Sequence, residues 1–309
     1  IVGTGNDLEK KIFGQDEIDV VYFESRFKNV SRFRKYISLL IPPKMDLVKY
    51  VRDFNPNLVL GMGGYASLDV CKSAGYIFKY EDSDDHFMMS NKIKPYIAVH
   101  EQNSKAGRAN RYIAMWRARS VIEGFPSAFD WKTRIFQTSN DDLIFLGNPI
   151  RNEILNIDKI TRSFPDKTKK PRIFIMGGSQ GARSINMTVP KAISLMMGDL
   201  PVELMHDSGE KDFDTVKNQY LELGIDAIVT SFNPDIEKAY EWADLLIGRA
   251  GAMTVSESSA IGLPSILIPF PHAMDNHQWF NAQFLAKKGG AKVILDKDLT
   301  PEILSKAIK

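Results

Sequence analysis

The stretch Ile173-Phe174-Ile175-Met176-Gly177-Gly178-Ser179-Gln180-Gly181-Ala182 decides the fold. Four apolar residues read as a buried strand. The glycines that follow read as a tight loop, and the helical period over 182–197 reads as a helix. A strand that turns through glycines into a helix opens a βαβ unit. Glycine lets the backbone approach a ligand closely. Free N–H groups at the helix start, reinforced by the helix dipole, favour phosphate. Ser179 adds a hydroxyl donor. Alone, such a loop serves equally well as a packing turn.

The pattern recurs downstream. Leu245-Leu246-Ile247 leads into Gly248-Arg249-Ala250-Gly251-Ala252-Met253-Thr254-Val255-Ser256-Glu257, and a short helix then stops at Gly262-Leu263-Pro264. Glu257 lies about one turn into that helix, where a carboxylate can accept hydrogen bonds from the vicinal hydroxyls of a ribose. It could equally serve only to complement the positive helix end. After a third strand, Ile266-Leu267-Ile268, come Pro269-Phe270-Pro271-His272, Asp275-Asn276-His277-Gln278 and Asn281. Gln278 and Asn281 are three residues apart on one helical face and suit sugar hydroxyls. His272 and His277 lack further partners at ligand spacing, so no metal site is expected.

The first half repeats the plan with less regularity. Leu58-Val59-Leu60 runs into Gly61-Met62-Gly63-Gly64-Tyr65, and Tyr96-Ile97-Ala98-Val99 into His100-Glu101-Gln102-Asn103. Four consecutive polar side chains at a strand end are poor core material and suit a site that handles hydroxyls and a proton. Gly147-Asn148-Pro149-Ile150-Arg151 places a permanent cation at a junction, and the Lys-, Thr- and Pro-rich residues 158–171 read as a linker. The expectation is an α/β chain of two open domains with parallel sheets, 1–150 and 151–309, facing a central cleft.

Composition narrows the function. At 309 residues with 44% hydrophobic and 25% charged, the chain is of ordinary globular make-up, and a net charge of +2 gives no reason to expect nucleic acid. Cys71 is the only cysteine, so no intrachain disulfide can form. No apolar run suits a membrane span and no signal peptide is visible. Glu81-Asp82-Ser83-Asp84-Asp85, within an unusual insertion at 80–94, reads as a solvated acidic loop. Its Asp-x-Asp is not at a strand end, where a metal site would be needed. Residues 25–45 carry Arg26, Lys28, Arg32, Arg34, Lys35 and Lys44 without an acid, among Phe27, Phe33, Tyr36, Ile37, Leu39 and Leu40. This suits either an amphipathic helix with a solvated basic side or a surface facing an anionic membrane. The chain opens as if at the end of a strand and closes in a helix, which reads as a piece lacking both ends.

GMGGY (61–65), HEQN (100–103), GNPIR (147–151), GGSQGARSIN (177–186), RAGAMTVSE (249–257) and PHAMDNHQ (271–278) occur in that order. Together they resemble the family of glycosyltransferases that convert lipid I to lipid II, over essentially the whole chain. The resemblance implies the GT-B arrangement of two Rossmann-like domains. It implies inverting, metal- and cofactor-independent transfer of N-acetylglucosamine from its UDP donor to undecaprenyl-pyrophosphoryl-N-acetylmuramyl-pentapeptide, at the cytoplasmic membrane face.

Residue by residue, the resemblance puts Ser179 with Gly177, Gly178 and Gly181 at the phosphates, helped by Ala252, Met253 and Thr254, with Val255 and Ser256 beside them. Glu257 would hold the ribose, Asn233 would stand at the uracil, Gln278 at the sugar and Arg151 near the nucleotide. Asn103 would reach a sugar from the first domain, and Gly63, Gly64 and Tyr65 would line the acceptor side. The leading general base would be a His in a GGTGGH loop expected before residue 1; His100 and Glu101 are the candidates within the chain. The family's usual x-Ser-Gly-Pro after GMGGY is replaced by Ala66-Ser67-Leu68-Asp69, and its last helices would follow residue 309. Other peptidoglycan-precursor enzymes would be neighbours. Two further readings are a GT-B transferase with another lipid acceptor and a non-catalytic UDP-sugar-binding protein. A nicotinamide oxidoreductase is disfavoured, since Gly3-Thr4-Gly5 supplies no G-x-G-x-x-G fingerprint.

Overall fold

The computed structural model describes residues 1–3, 5, 10, 19–23, 42–80, 95–126, 128–129, 143–157, 169–178 and 181–309. The chain divides into two compact units, Ile1–Gly147 and Asn148–Lys309. Among the described residues every strand pair is parallel.

In the first unit, β1 (Val2–Gly3) pairs with β2 (Val21–Tyr22). Then follow α1 (Met45–Phe54), β3 (Leu58–Gly61), α2 (Gly64–Tyr80), β4 (Tyr96–Glu101), α3 (Arg108–Trp116), β5 (Ser120–Glu123) and β6 (Leu143–Phe145). The sheet order is β3-β4-β5-β6. β4 is buried from Ile97 to Glu101, which explains its unbroken apolar run: a parallel strand covered on both faces has no polar side. Leu47 and Val51 of α1, Leu68 of α2 and Ile113 of α3 share one apolar core with Val59, Ile97, Val99 and Val121 of the strands.

The second unit contains α4 (Asn152–Leu155), β7 (Arg172–Met176), α5 (Arg183–Ser194), β8 (Glu203–Asp207), α6 (Phe213–Glu222), β9 (Ile228–Thr230) and α7 (Ile236–Trp242). It continues through β10 (Leu245–Gly248), α8 (Ala252–Ala260), β11 (Ser265–Leu267), α9 (His277–Ala286), β12 (Ala291–Val293) and α10 (Pro301–Ile308). Thr300 caps α10 by accepting the Ile303 N–H, with Pro301 in the first turn, where its missing N–H costs nothing.

The strand order β12-β11-β10-β7-β8-β9 is that of a doubly wound sheet. From β7 the chain winds outward through β8 and β9; from β10 it winds the other way through β11 and β12. The winding therefore reverses between β7 and β10, and their carboxyl ends flank the crevice where such sheets bind ligands. The strand ends are close: Gly248 lies opposite Met176, and a Cβ there would stand 2.7 Å from the Met176 carbonyl oxygen.

The helix expected over 182–197 runs from Arg183 to Ser194, and the strand expected at 266–268 runs from Ser265 to Leu267. Residues 25–41 of the basic segment, 81–94 of the insertion and 158–168 of the linker lie outside the described residues, as do Ser179 and Gln180. Among the described residues no helix is long and apolar enough to cross a membrane.

Candidate functional site

The switch point of the second unit carries two loop-and-helix devices. After β7, Gly178 and Gly181 adopt positive φ, +83° and +75°. A Cβ on Gly177 would stand 2.2 Å from the Ala182 N, and one on Gly181 would stand 2.4 Å from the Ser208 carbonyl oxygen. The loop therefore folds tightly onto itself and onto the exit of β8, and only glycine fits at 177 and 181. α5 starts directly after it. After β10, Gly251 precedes the start of α8, so Ala252, Met253 and Thr254 form its first turn, with unpaired N–H groups characteristic of a helix start. Ser179 lies outside the described residues.

Glu257 is buried on α8, only 6% exposed. The Tyr240 hydroxyl, from α7, donates to its Oε2 at 3.0 Å, and Arg151 Nη2 donates to its Oε1 at 3.2 Å. One residue back, Ser256 Oγ accepts from Asn148 Nδ2 at 2.8 Å. Both ends of the Asn148–Arg151 motif therefore dock on consecutive residues of α8. Val255 is fully buried and belongs to the packing face of that helix.

The expected sugar-side residues divide. Gln278 Oε1 accepts the Phe270 N–H at 2.9 Å, which fixes the side chain and leaves its amide NH2 as the donor end. Asn281 is fully buried and donates to the Ala250 carbonyl at 3.2 Å, so it braces the loop after β10. His272 packs its ring edge-on against Phe270. Asn233 Oδ1 accepts the Asp235 N–H at 3.0 Å, a turn that leads into α7. Nearby, burial raises the carboxyl of Asp207 at the end of β8, opposed by the N–H groups of Gly209 and Asn233. Among the described residues no cluster of His, Cys, Asp or Glu is arranged to hold a metal ion.

Two networks could not be read from the motifs. Arg249 is 11% exposed and donates to Asp296 Oδ1, to the Ile268 and Pro269 carbonyls and to Ser184 Oγ. It ties the exits of β10, β11 and β12 to the first turn of α5. Behind the glycine loop, fully buried His206 lies between Tyr220 OH and Asn186 Oδ1, each at 3.1 Å. The amide oxygen only accepts, so Nε2 carries the proton and Nδ1 accepts from Tyr220. Asn186 donates onward to the Ser208 carbonyl and to Asp212. The sequence signal for both networks was a polar residue inside an apolar context, without an indication of its partner.

In the first unit, Glu101 is 2% exposed. Its Oε1 accepts from Asn103 N at 2.8 Å and Asn103 Nδ2 at 3.1 Å; its Oε2 accepts from Gly107 N at 2.9 Å and Asn110 Nδ2 at 2.8 Å. Four donors use its acceptor capacity, so Glu101 organises the loop into α3 and turns Asn103 inward. His100 Nε2 donates to the Gly147 carbonyl at 3.1 Å, and its Nδ1 is buried without a hydrogen-bond partner among the described residues. Gly63 and Gly64 have φ of +94° and +74° at the start of α2. The loop is closed by Ser67, whose Oγ accepts the Met62 N–H at 3.1 Å; this serine keeps the family's x-Ser-Gly-Pro pattern, and the departures follow it at Leu68 and Asp69. Tyr65 stands in the first turn of α2.

Residues 172–309 match the Glycosyltransferase family 28 C-terminal domain. Over 98% of its length the chain is 35% identical to the UDP-N-acetylglucosamine–N-acetylmuramyl-(pentapeptide) pyrophosphoryl-undecaprenol N-acetylglucosamine transferase of Dechloromonas aromatica (strain RCB), spanning 79% of that protein. It is 32% identical to the protein of the same name from Marinobacter nauticus, again over 79% of that protein. Among solved structures, Acinetobacter baumannii MurG superposes with a TM-score of 0.73 at 25% identity, covering 99% of this chain and 79% of that one. A UDP-GlcNAc 2-epimerase from Neisseria meningitidis, bound to UDP-GlcNAc, shares the fold at 13% identity and a TM-score of 0.60, covering 100% of this chain and 82% of that one. With GT-B architecture, parallel sheets and this extent of identity, the chain is a glycosyltransferase and belongs to the UDP-N-acetylglucosamine–N-acetylmuramyl-(pentapeptide) pyrophosphoryl-undecaprenol N-acetylglucosamine transferase (MurG) family.

Proposed function

We propose that the protein transfers N-acetylglucosamine from UDP-N-acetylglucosamine to lipid I, giving lipid II, by an inverting displacement that needs no metal at the donor. The observation that supports this most is the pair of helix starts, α5 and α8, at the reversal of the second sheet, with buried Glu257 one turn into α8. When the bond from the anomeric carbon to the diphosphate breaks, negative charge builds on the leaving UDP. N–H groups of the glycine loop around Gly177, Gly178 and Gly181, the Ser179 hydroxyl and the first turn of α8 at Ala252, Met253 and Thr254 stabilise that charge without reorganising.

Glu257 accepts the ribose hydroxyls, Arg151 lies by the nucleotide, backbone near Asn233 meets the uracil and the amide of Gln278 donates to the sugar. Asn103 and the Gly63-Gly64-Tyr65 turn belong to the first unit, which takes the acceptor. Within these residues His100 is the better candidate for the base, because its Nδ1 has no hydrogen-bond partner among the described residues whereas Glu101 already accepts four hydrogen bonds. Residues 25–45 hold the protein against the anionic cytoplasmic face of the membrane, beside the other enzymes of the precursor pathway.

The test uses the intact gene product, labelled UDP-N-acetylglucosamine and a lipid I analogue. A β-linked product from the α-linked donor, at a rate unchanged by EDTA, is expected. An α-linked product overturns inversion, and a rate abolished by EDTA and restored by a divalent cation overturns metal independence.

A further inference from the structure

Tyr240 lies on none of the motifs that mark the nucleotide-sugar site, yet it makes the closest side-chain hydrogen bond to the carboxylate of Glu257. Its phenol is fully buried. The ring packs edge-on against Phe174 of β7 with centroids 5.9 Å apart, and the hydroxyl also lies 3.7 Å from Met176 Sδ at the end of that strand. Tyr240 thus runs from the sheet core under the switch point up to α8. Burial, together with the negative charge of Glu257, pushes the phenol well above its ordinary value, so the hydroxyl stays protonated and donates.

We propose that Tyr240 is a positioning residue for nucleotide recognition: it fixes the Glu257 carboxylate so that the two acceptor sites left over receive the vicinal hydroxyls of the donor's ribose. This rests on the assignment of Glu257 to the ribose. The count of lone pairs supports it. A carboxylate offers about four acceptor sites, two on each oxygen. Tyr240 uses one on Oε2 and Arg151 uses one on Oε1. Among the described residues one site remains on each oxygen, which matches a pair of adjacent hydroxyls. Glu257 has three side-chain torsions, and the last rotates freely unless something holds it. Of its two partners, Arg151 has a side chain that is half exposed, whereas Tyr240 is fixed in the core, so Tyr240 supplies the rigid reference. Holding a recognition group in place raises affinity and selectivity without adding a ligand contact.

The experiment compares UDP with 2′-deoxy-UDP and 3′-deoxy-UDP by calorimetry, on the intact wild-type protein and its Tyr240→Phe, Glu257→Gln and Glu257→Ala variants. Wild type is expected to favour UDP by about tenfold or more over each deoxy form, the usual worth of a hydrogen bond to a charged group. Tyr240→Phe, which keeps the ring and its packing, is expected to cut that preference severalfold while affinity for the deoxy forms changes little. Loss through misfolding would lower affinity for all three nucleotides alike, so the ratio separates the two. If Tyr240→Phe keeps the full preference while Glu257→Ala loses it, the ribose assignment stands and the role of Tyr240 is overturned. If Glu257→Ala keeps the preference too, the ribose assignment falls and this inference with it. Thermal unfolding of each variant is recorded in parallel, and a Tyr240→Phe protein that is folded yet binds all three nucleotides as wild type does also overturns the proposal.

Discussion

Arg249 and Asp296, 47 residues apart in sequence, form an ion pair at 2.5 Å with side chains only 11% and 20% exposed. Ser184 bridges them, donating to Asp296 at 2.6 Å and accepting from Arg249 at 2.9 Å. The guanidinium also holds two carbonyls at the exit of β11. Because one planar group serves acceptors in several directions, Lys cannot replace it. Arg249→Met leaves a largely buried carboxylate without its partner and is expected to cost about 3 kcal/mol of stability. Arg249→Lys is expected to recover only part of this. Denaturant melts of the two variants check both the size and the order.

The glycine loop allows a graded test of backbone geometry. At Gly177 and Gly181 an added methyl meets backbone atoms at 2.2 and 2.4 Å, and Gly181 has positive φ as well. Gly178 shares the positive φ, but a methyl there meets nothing within 4 Å among the described residues. Gly178→Ala is therefore expected to cost only the left-handed strain of about 1–2 kcal/mol. Gly177→Ala and Gly181→Ala must deform the loop and are expected to weaken UDP binding much more than Gly178→Ala. Equal affinities in the three variants would mean that the loop does not approach the nucleotide.

His206 predicts the pH dependence of stability. Burial depresses its pKa from the ordinary imidazole value to about 3. A depressed folded-state value means that the unfolded chain binds the proton first. The contribution is therefore complete above the unfolded value of about 6.5 and is lost as pH falls from there towards about 3. In that window the slope from this one group is about 1.4 kcal/mol per pH unit. Replacing His206 by Gln, which does not titrate, is expected to remove about one proton from the uptake on unfolding between pH 6 and 4. Urea melts across that range measure it.

Glu101 separates a loop organiser from a base. Its four hydrogen bonds come from Asn103, Gly107 and Asn110. Glu101→Ala leaves these donors unpaired and is expected to destabilise the first unit by several kcal/mol. Glu101→Gln keeps one acceptor oxygen and is expected to lose less. In Glu101→Gln the pH profile of transfer is expected to keep its midpoints while its height falls; a lost limb would mark Glu101 as the titrating base.

The fold was legible because its governing signals are local. An apolar run such as 173–176, a glycine turn and a helical period are all contiguous, and β3, β4, β7, β10 and β11 follow from them. β2, β5, β6, β8, β9 and β12 lie outside the runs that read as strands. β8 carries Glu203, His206 and Asp207, and β12 has three residues with Lys292 in the middle, so neither makes an apolar run. The candidate site was legible where a motif is compact, as at 249–257. It was not legible where a side chain finds its partner across the fold. Asn281 and Gln278 looked equivalent on one helical face, yet one braces a backbone carbonyl in the core and the other is tied by the Phe270 N–H. Asn103 and Glu101, two residues of one polar motif, also hydrogen-bond to each other, a contact the motif does not announce. Tyr240 carried no signal, because a tyrosine next to Ala239 on the buried face of a short, otherwise charged helix reads as core until Glu257 is seen beside its hydroxyl.

The most direct measurement is steady-state transfer of labelled N-acetylglucosamine from UDP-N-acetylglucosamine to a lipid I analogue by the intact gene product, wild type beside Glu257→Ala. The account predicts label in the lipid product, with a KM for the donor about tenfold or more higher in the variant. Donor binding without any transfer to lipid I by the wild-type protein would contradict the assigned reaction, and an unchanged donor KM in Glu257→Ala would contradict the assigned site.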